Sequence, residues 1–143
     1  MSTVRRSKTF DIDLYINDGT SLTASASGCV DAVTEVLDLG EGFVDADLIL
    51  DVSALDVDDG DEIVKVQICL ARTQLSVDHY VQTIFEIGDA AVIESSYDRT
   101  TGRYIIPFNN MIETGECLRY MFLYFELGGT IGDFTATAYV AKK

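Results

Sequence analysis

The feature that most constrains this chain is alternation with a period of two, repeated in short segments from one end to the other. In residues 10–16, Phe10, Ile12, Leu14 and Ile16 alternate with Asp11 and Asp13. Successive strand side chains point to opposite faces, so this pattern predicts a strand with one buried and one wet face. Asn17, Asp18 and Gly19 end it with turn chemistry. Asp45, Asp47 and Asp51 alternate with Ala46, Leu48, Leu50 and Val52 in the same way. In residues 63–71, Val64, Val66, Ile68 and Leu70 share one face, and Lys65 and Gln67 share the other. Residues 81–87 and 91–94 are weaker strand candidates, split by Gly88 and Asp89. Residues 103–108 contain Pro107, which cannot donate to a ladder, so that strand is expected at an edge or a bulge. Residues 118–127 form the strongest candidate, and residues 134–140 alternate again after a glycine-rich turn.

Helical spacing is hinted at only in residues 30–39, through Val30, Val33, Val36 and Leu37. About eight short strands joined by Gly- and Asp-rich turns predict an all-β, single-domain jelly roll or β-sandwich. At 143 residues the chain has the length of one domain and can bury a core without disulfides or metal. There is no repeat or linker, and the longest aromatic-aliphatic run near the C-terminus, residues 121–125, is far short of a membrane span. The N-terminus has no apolar h-region, so no secretory signal is expected.

The formal net charge is −14, unevenly spread. Arg5, Arg6 and Lys8 form a basic arm over residues 1–8, and Lys142 and Lys143 close the chain. The body between them holds 24 acidic against five basic residues. Such a body repels phosphate backbones and anionic membrane surfaces, so neither nucleic acid nor membrane is expected as a partner. The arm either frays, as termini do, or docks on an acidic partner.

Catalytic and metal signals are sparse. His79 is the only histidine, so a multi-histidine cupin-type metal centre cannot be assembled. It lies in a polar, loop-like stretch beside Asp78, where a solvated side chain is the plain reading and a hydrolase site the sharp one. Cys29, Cys69 and Cys117 include no CxxC pair, which excludes a zinc ribbon and fits small buried hydrophobes in a reducing compartment. The acidic run at residues 56–62 departs from the EF-hand pattern, because loop positions 1 and 12 would be Leu55 and Val66. It is either a solvated turn or an irregular calcium loop. Gly128, Gly129 and Gly132 precede a strand-like segment and not a helix, so they read as a hairpin turn, not a phosphate loop. No cofactor or metal is expected. Tyr120, Phe122 and Tyr124 share one strand face and Met121, Leu123 and Phe125 the other, so one face belongs to the core and the opposite one to an interface or a sugar platform.

Residues 22–27 (LTASAS) precede Val36, Leu37, Asp38, Leu39 and Gly40, with Gly42 soon after. Near the end stand residues 118–125 (LRYMFLYF), then Gly128, Gly129 and Thr130, then the alternating segment 134–140. In this order the motifs resemble the jelly-roll cement (decoration) proteins of tailed bacteriophage capsids. The resemblance covers about residues 20–141. The chain departs from the family pattern at Leu37, where isoleucine is usual, and in residues 56–62 and 89–103. The resemblance implies a non-enzymatic structural protein, made in the host cytoplasm, on the outer capsid surface of the virion. Its partner would be an HK97-fold major capsid protein, whose subunits it bridges against internal DNA pressure. It implies a homo-oligomer, with a trimer favoured over a dimer. Residues 1–8 would form the arm and 9–143 the cement domain. The expected capsid or subunit contacts are Arg5, Arg6 and Lys8 in the arm and Tyr120, Phe122 and Tyr124 on the aromatic strand. The alternative reading is a carbohydrate-binding jelly-roll module using exposed tyrosines and the acidic loop.

Overall fold

The computed structural model describes residues 14–74 and 78–143. Arg5, Arg6 and Lys8, and the first half of the alternating segment at 10–16, lie outside the described residues. The strands, in chain order, are β1 (Tyr15–Asp18), β2 (Ala26–Ser27), β3 (Cys29–Val30), β4 (Val33–Thr34), β5 (Leu37–Asp38) and β6 (Asp45–Leu55). They continue with β7 (Ile63–Ala71), β8 (His79–Gly88), β9 (Gly102–Asn109), β10 (Tyr120–Gly128) and β11 (Phe134–Lys142). Among the described residues no helix is long and apolar enough to cross a membrane.

One sheet has the order β1-β11-β6-β9, and the other β2-β10-β7-β8 with β5 also on β10. Taking β2 and β5 as one interrupted strand, and setting the β3–β4 hairpin aside, leaves eight principal strands. Their order is 1-8-3-6 in one sheet and 2-7-4-5 in the other, and every pairing is antiparallel. That is the double Greek key of a jelly roll.

The period-two residues make the core. Leu48, Leu50, Val64, Val66, Ile68, Leu70, Met121, Leu123, Phe125, Ala138 and Val140 are all fully buried between the sheets. Phe125 and Phe134 close one end of it with ring centroids 5.3 Å apart. β9 is an edge strand and Pro107 is exposed on it, as its missing N–H requires.

Two buried asparagines hold the loops to this frame. Asn17 donates from Nδ2 to the Ala136 carbonyl at 2.6 Å and accepts the Cys29 N–H at 3.1 Å. Asn110 accepts the Val44 N–H at 2.7 Å and donates to the carbonyls of Gly42 and Leu118, both at 2.9 Å.

Three expectations need correction. Residues 30–39 are not helical: β3 and β4 form a hairpin whose two central residues, Asp31 and Ala32, have φ of 53° and 65°. Left-handed geometry at both positions matches the twist of a tight hairpin, and β-branched Val33 and Thr34 suit its second strand. Residues 91–94 are a turn, not a strand. Asp89 accepts the N–H groups of Ala91, Val92 and Ile93 through its side chain and carbonyl, winding the chain away from any ladder. His79 is the first residue of β8, not a loop residue.

Candidate functional site

The register of the second sheet assembles an outward face row by row. Tyr120 stands opposite Ala71, which stands opposite His79. The next row is Phe122, Cys69 and Val81, and the third is Tyr124, Gln67 and Ile84. Ser27 and Asp38 flank Tyr124 and Tyr120 on the far side. A bulge between Ile68 and Cys69 leaves Gln82 of β8 unpaired in the ladder, and this keeps both Val81 and Ile84 on the outer face.

The face is graded. Cys69 and Phe122 are buried yet stand outside the central core cluster. The His79 ring meets Phe122 edge-on, with centroids 5.2 Å apart and planes at 78°. Tyr120 and Tyr124 are half-buried, whereas Val81 is 46% and Ile84 53% exposed. Of the three aromatic residues expected to make contacts, the structure thus places Tyr120 and Tyr124 at the surface. Phe122 lies beneath them as a floor, at 6% exposure. A hollow of about 380 Å³ opens over that floor, lined by Ser27, Gln67, His79, Phe122 and Tyr124.

Charged pairs frame this apolar centre. Arg119 makes a two-pronged bond to Asp38 at 2.7 and 2.8 Å, with its guanidinium 5.7 Å from the Tyr120 ring centroid. The Arg119 donors, helped by the Gly40 N–H, pull the Asp38 carboxyl down to about 2. Arg72 grips Glu116 at 2.9 and 2.7 Å, donates to the Tyr80 hydroxyl at 3.1 Å and lies over that ring. The same bonds hold the Glu116 carboxyl below its usual range. Lys65 pairs with Glu126 at 3.8 Å.

The cysteines are not activated nucleophiles among the described residues. Burial pushes the Cys69 thiol up to about 11, so it stays protonated at neutral pH and is a poor nucleophile. Cys29 and Cys117 are half-buried, less covered than small core hydrophobes should be, and all three cysteines are free thiols. Cys117 makes only an isolated bridge to Met111.

In the acidic loop the Glu62 carboxylate accepts the N–H groups of Asp59 and Asp61, and Asp56 accepts that of Asp58. Asp61 is bonded at 3.0 Å by both the N–H and the hydroxyl of Thr130, which clasps this loop to the β10–β11 turn. The loop's carboxylates thus satisfy its own backbone, as in a solvated turn. Among the described residues no group of three or more His, Cys, Asp or Glu is placed to hold a metal ion.

The ladder register and the bulge could not be read from the alternation alone. Both depend on which strands pair, and they are what bring His79, Val81 and Ile84 onto the same sheet face as the aromatic strand, across β7. The chain matches no protein-family model and no curated protein sequence.

Proposed function

We propose that this chain is a non-enzymatic structural protein, a cement protein on the outer surface of an icosahedral phage capsid. It bridges subunits of an HK97-fold major capsid protein and reinforces the shell against packaged DNA. The observation that carries this reading is the outer face of the second sheet. A fully antiparallel scaffold holds Tyr120 and Tyr124 half-exposed beside Val81 and Ile84, with ion pairs at the rim. Association surfaces are typically enriched in tyrosine and depleted of charge at the centre, with polar groups around it. The order of the motifs along the chain supports the same reading. So does the charge of −14, which suits a surface turned away from the genome. Individually weak contacts suffice, because a capsid lattice presents many copies at once. Assembly as a homo-oligomer, a trimer before a dimer, belongs to this proposal.

The test is attachment of the purified chain to shells of its cognate major capsid protein. The double variant Tyr120→Ala, Tyr124→Ala should weaken attachment by about ten-fold or more while remaining folded. Unchanged attachment of this variant would contradict the assignment of the face. Sugar-dependent binding without incorporation into particles would favour the carbohydrate-binding alternative.

A further inference from the structure

Jelly rolls leave sheet edges open, and an open edge presents unpaired N–H and C=O groups to any extended chain that approaches it. This molecule blunts most of its edges. β9 carries Pro107 and the ion-paired Arg103. β1 has four residues, and β2 and β5 have two each. β8, at the end of the second sheet, is different. Its residues 80–85 read YVQTIF, with no charge, proline or glycine in a chain of net charge −14. Arg99 covers the far end of the strand: its side chain donates to the Glu86 carbonyl and lies over the Phe85 ring, and its backbone exchanges two bonds with Gly88.

Beside this stretch runs a groove of about 650 Å³, lined by Tyr80, Val81 and Gln82 on one side and Met111, Ile112 and Glu113 on the other. Seven of the nine large apolar side chains most exposed among the described residues lie between residues 80 and 111. Tyr80, in the groove wall, is held by Arg72, which donates to its hydroxyl and lies over its ring. Gln82, which the bulge frees from the ladder, donates from Nε2 to Asn109 Oδ1 at 3.1 Å and ties β8 to the end of β9. At one end of the stretch stands Asp78 and in the groove Glu113. Among the described residues neither makes an ion pair, whereas Glu116 nearby is neutralised by Arg72.

We propose that residues 80–85 of β8 accept an added antiparallel strand from another protein, an extended segment with apolar side chains between basic residues. Backbone bonding supplies the affinity, the apolar lining takes alternate side chains, and Asp78 and Glu113 select the basic flanks. A second copy of this chain fits less well, because it brings its own −14 to the contact. The inference stands whether or not the capsid reading holds.

The test uses the full chain, isotope-labelled, with the acetylated peptide Lys-Val-Thr-Val-Thr-Val-Lys at millimolar concentration. Amide resonances of residues 80–85 should shift and gain protection from hydrogen exchange. The same peptide with alternate backbone nitrogens methylated should not bind, and a glutamate-flanked version should bind about ten-fold more weakly. Ile84→Lys, at a 53% exposed position, should abolish binding with the rest of the spectrum unchanged. If that variant fails to fold, the methylated peptide still decides the question. Absence of shifts at 80–85, or equal binding of the glutamate-flanked peptide, overturns the proposal. Concentration-dependent self-pairing through β8 also overturns it, by assigning the edge to a second copy.

Discussion

The imidazole of His79 stands edge-on to the ring of Phe122, 5.2 Å between centroids, and shields the floor of the aromatic face from water. An edge-to-face aromatic pair contributes about 0.5–1.5 kcal/mol beyond its buried area. His79→Ala should therefore lower stability by about 1 kcal/mol, seen as a reduced urea midpoint, while Phe122→Leu should cost less in the His79→Ala background than in the native chain. Equal cost in both backgrounds would show that the rings do not interact.

Asn110 should matter more than its side-chain type suggests. It is fully buried and serves one N–H and two carbonyls from separate segments. Asn110→Ala leaves all three without partners, so a loss of about 2–4 kcal/mol is expected by chemical denaturation. A loss under about 0.5 kcal/mol, as at an ordinary surface site, would contradict the bonding described.

Two backbone positions should respond with opposite signs. Ala32 holds a left-handed conformation at the β3–β4 turn, so Ala32→Gly should raise stability by about 0.5–1 kcal/mol. Gly129 has φ of 75°, and a Cβ there would drive into the Asp61 carbonyl. Gly129→Ala should cost at least about 2 kcal/mol. Thermal unfolding of the two variants checks both signs.

Acid should loosen the strap between β5 and β10. The Arg119 donors hold the folded Asp38 pKa at about 2, below its ordinary 3.8. A lowered carboxyl pKa adds stability that is complete above 3.8 and vanishes as pH falls through 2. The stability difference between the native chain and Asp38→Asn should thus shrink across that window. A difference independent of pH would show that the ion pair does not couple to folding.

The basic arm carries a prediction from charge alone. Deleting residues 1–8 should weaken capsid attachment, and raised salt should mimic the deletion in the intact chain, because exposed charges are screened within about 10 Å at 0.1 M salt. Salt-independent attachment of the truncated chain would remove the arm from the interface.

Much of this architecture was legible in the residues. Alternation located β6, β7 and β11, an apolar run with four aromatics located β10, and Pro107 marked β9 as an edge or a bulged strand. The failures have physical causes. Val30, Val33 and Val36 have spacings that suit either a helix or a tight hairpin, and the left-handed Asp31–Ala32 pair decides between them. Ala91, Val92 and Ile93 look strand-like, yet Asp89 captures their N–H groups. Asn17 reads as a turn residue because the carbonyl that its side chain meets, that of Ala136, comes from a distant segment. At the site, the two faces of the aromatic strand were visible in its pattern. That His79 covers Phe122 and leaves the tyrosines outermost was not, since it depends on the pairing of β8 with β7.

Quantitative mass spectrometry of purified particles, from the lysate in which the chain is made, tests the central claim most directly. The account predicts this chain at a copy number comparable to that of the major capsid protein. Its absence from the particles, or a mere handful of copies, would contradict the cement assignment.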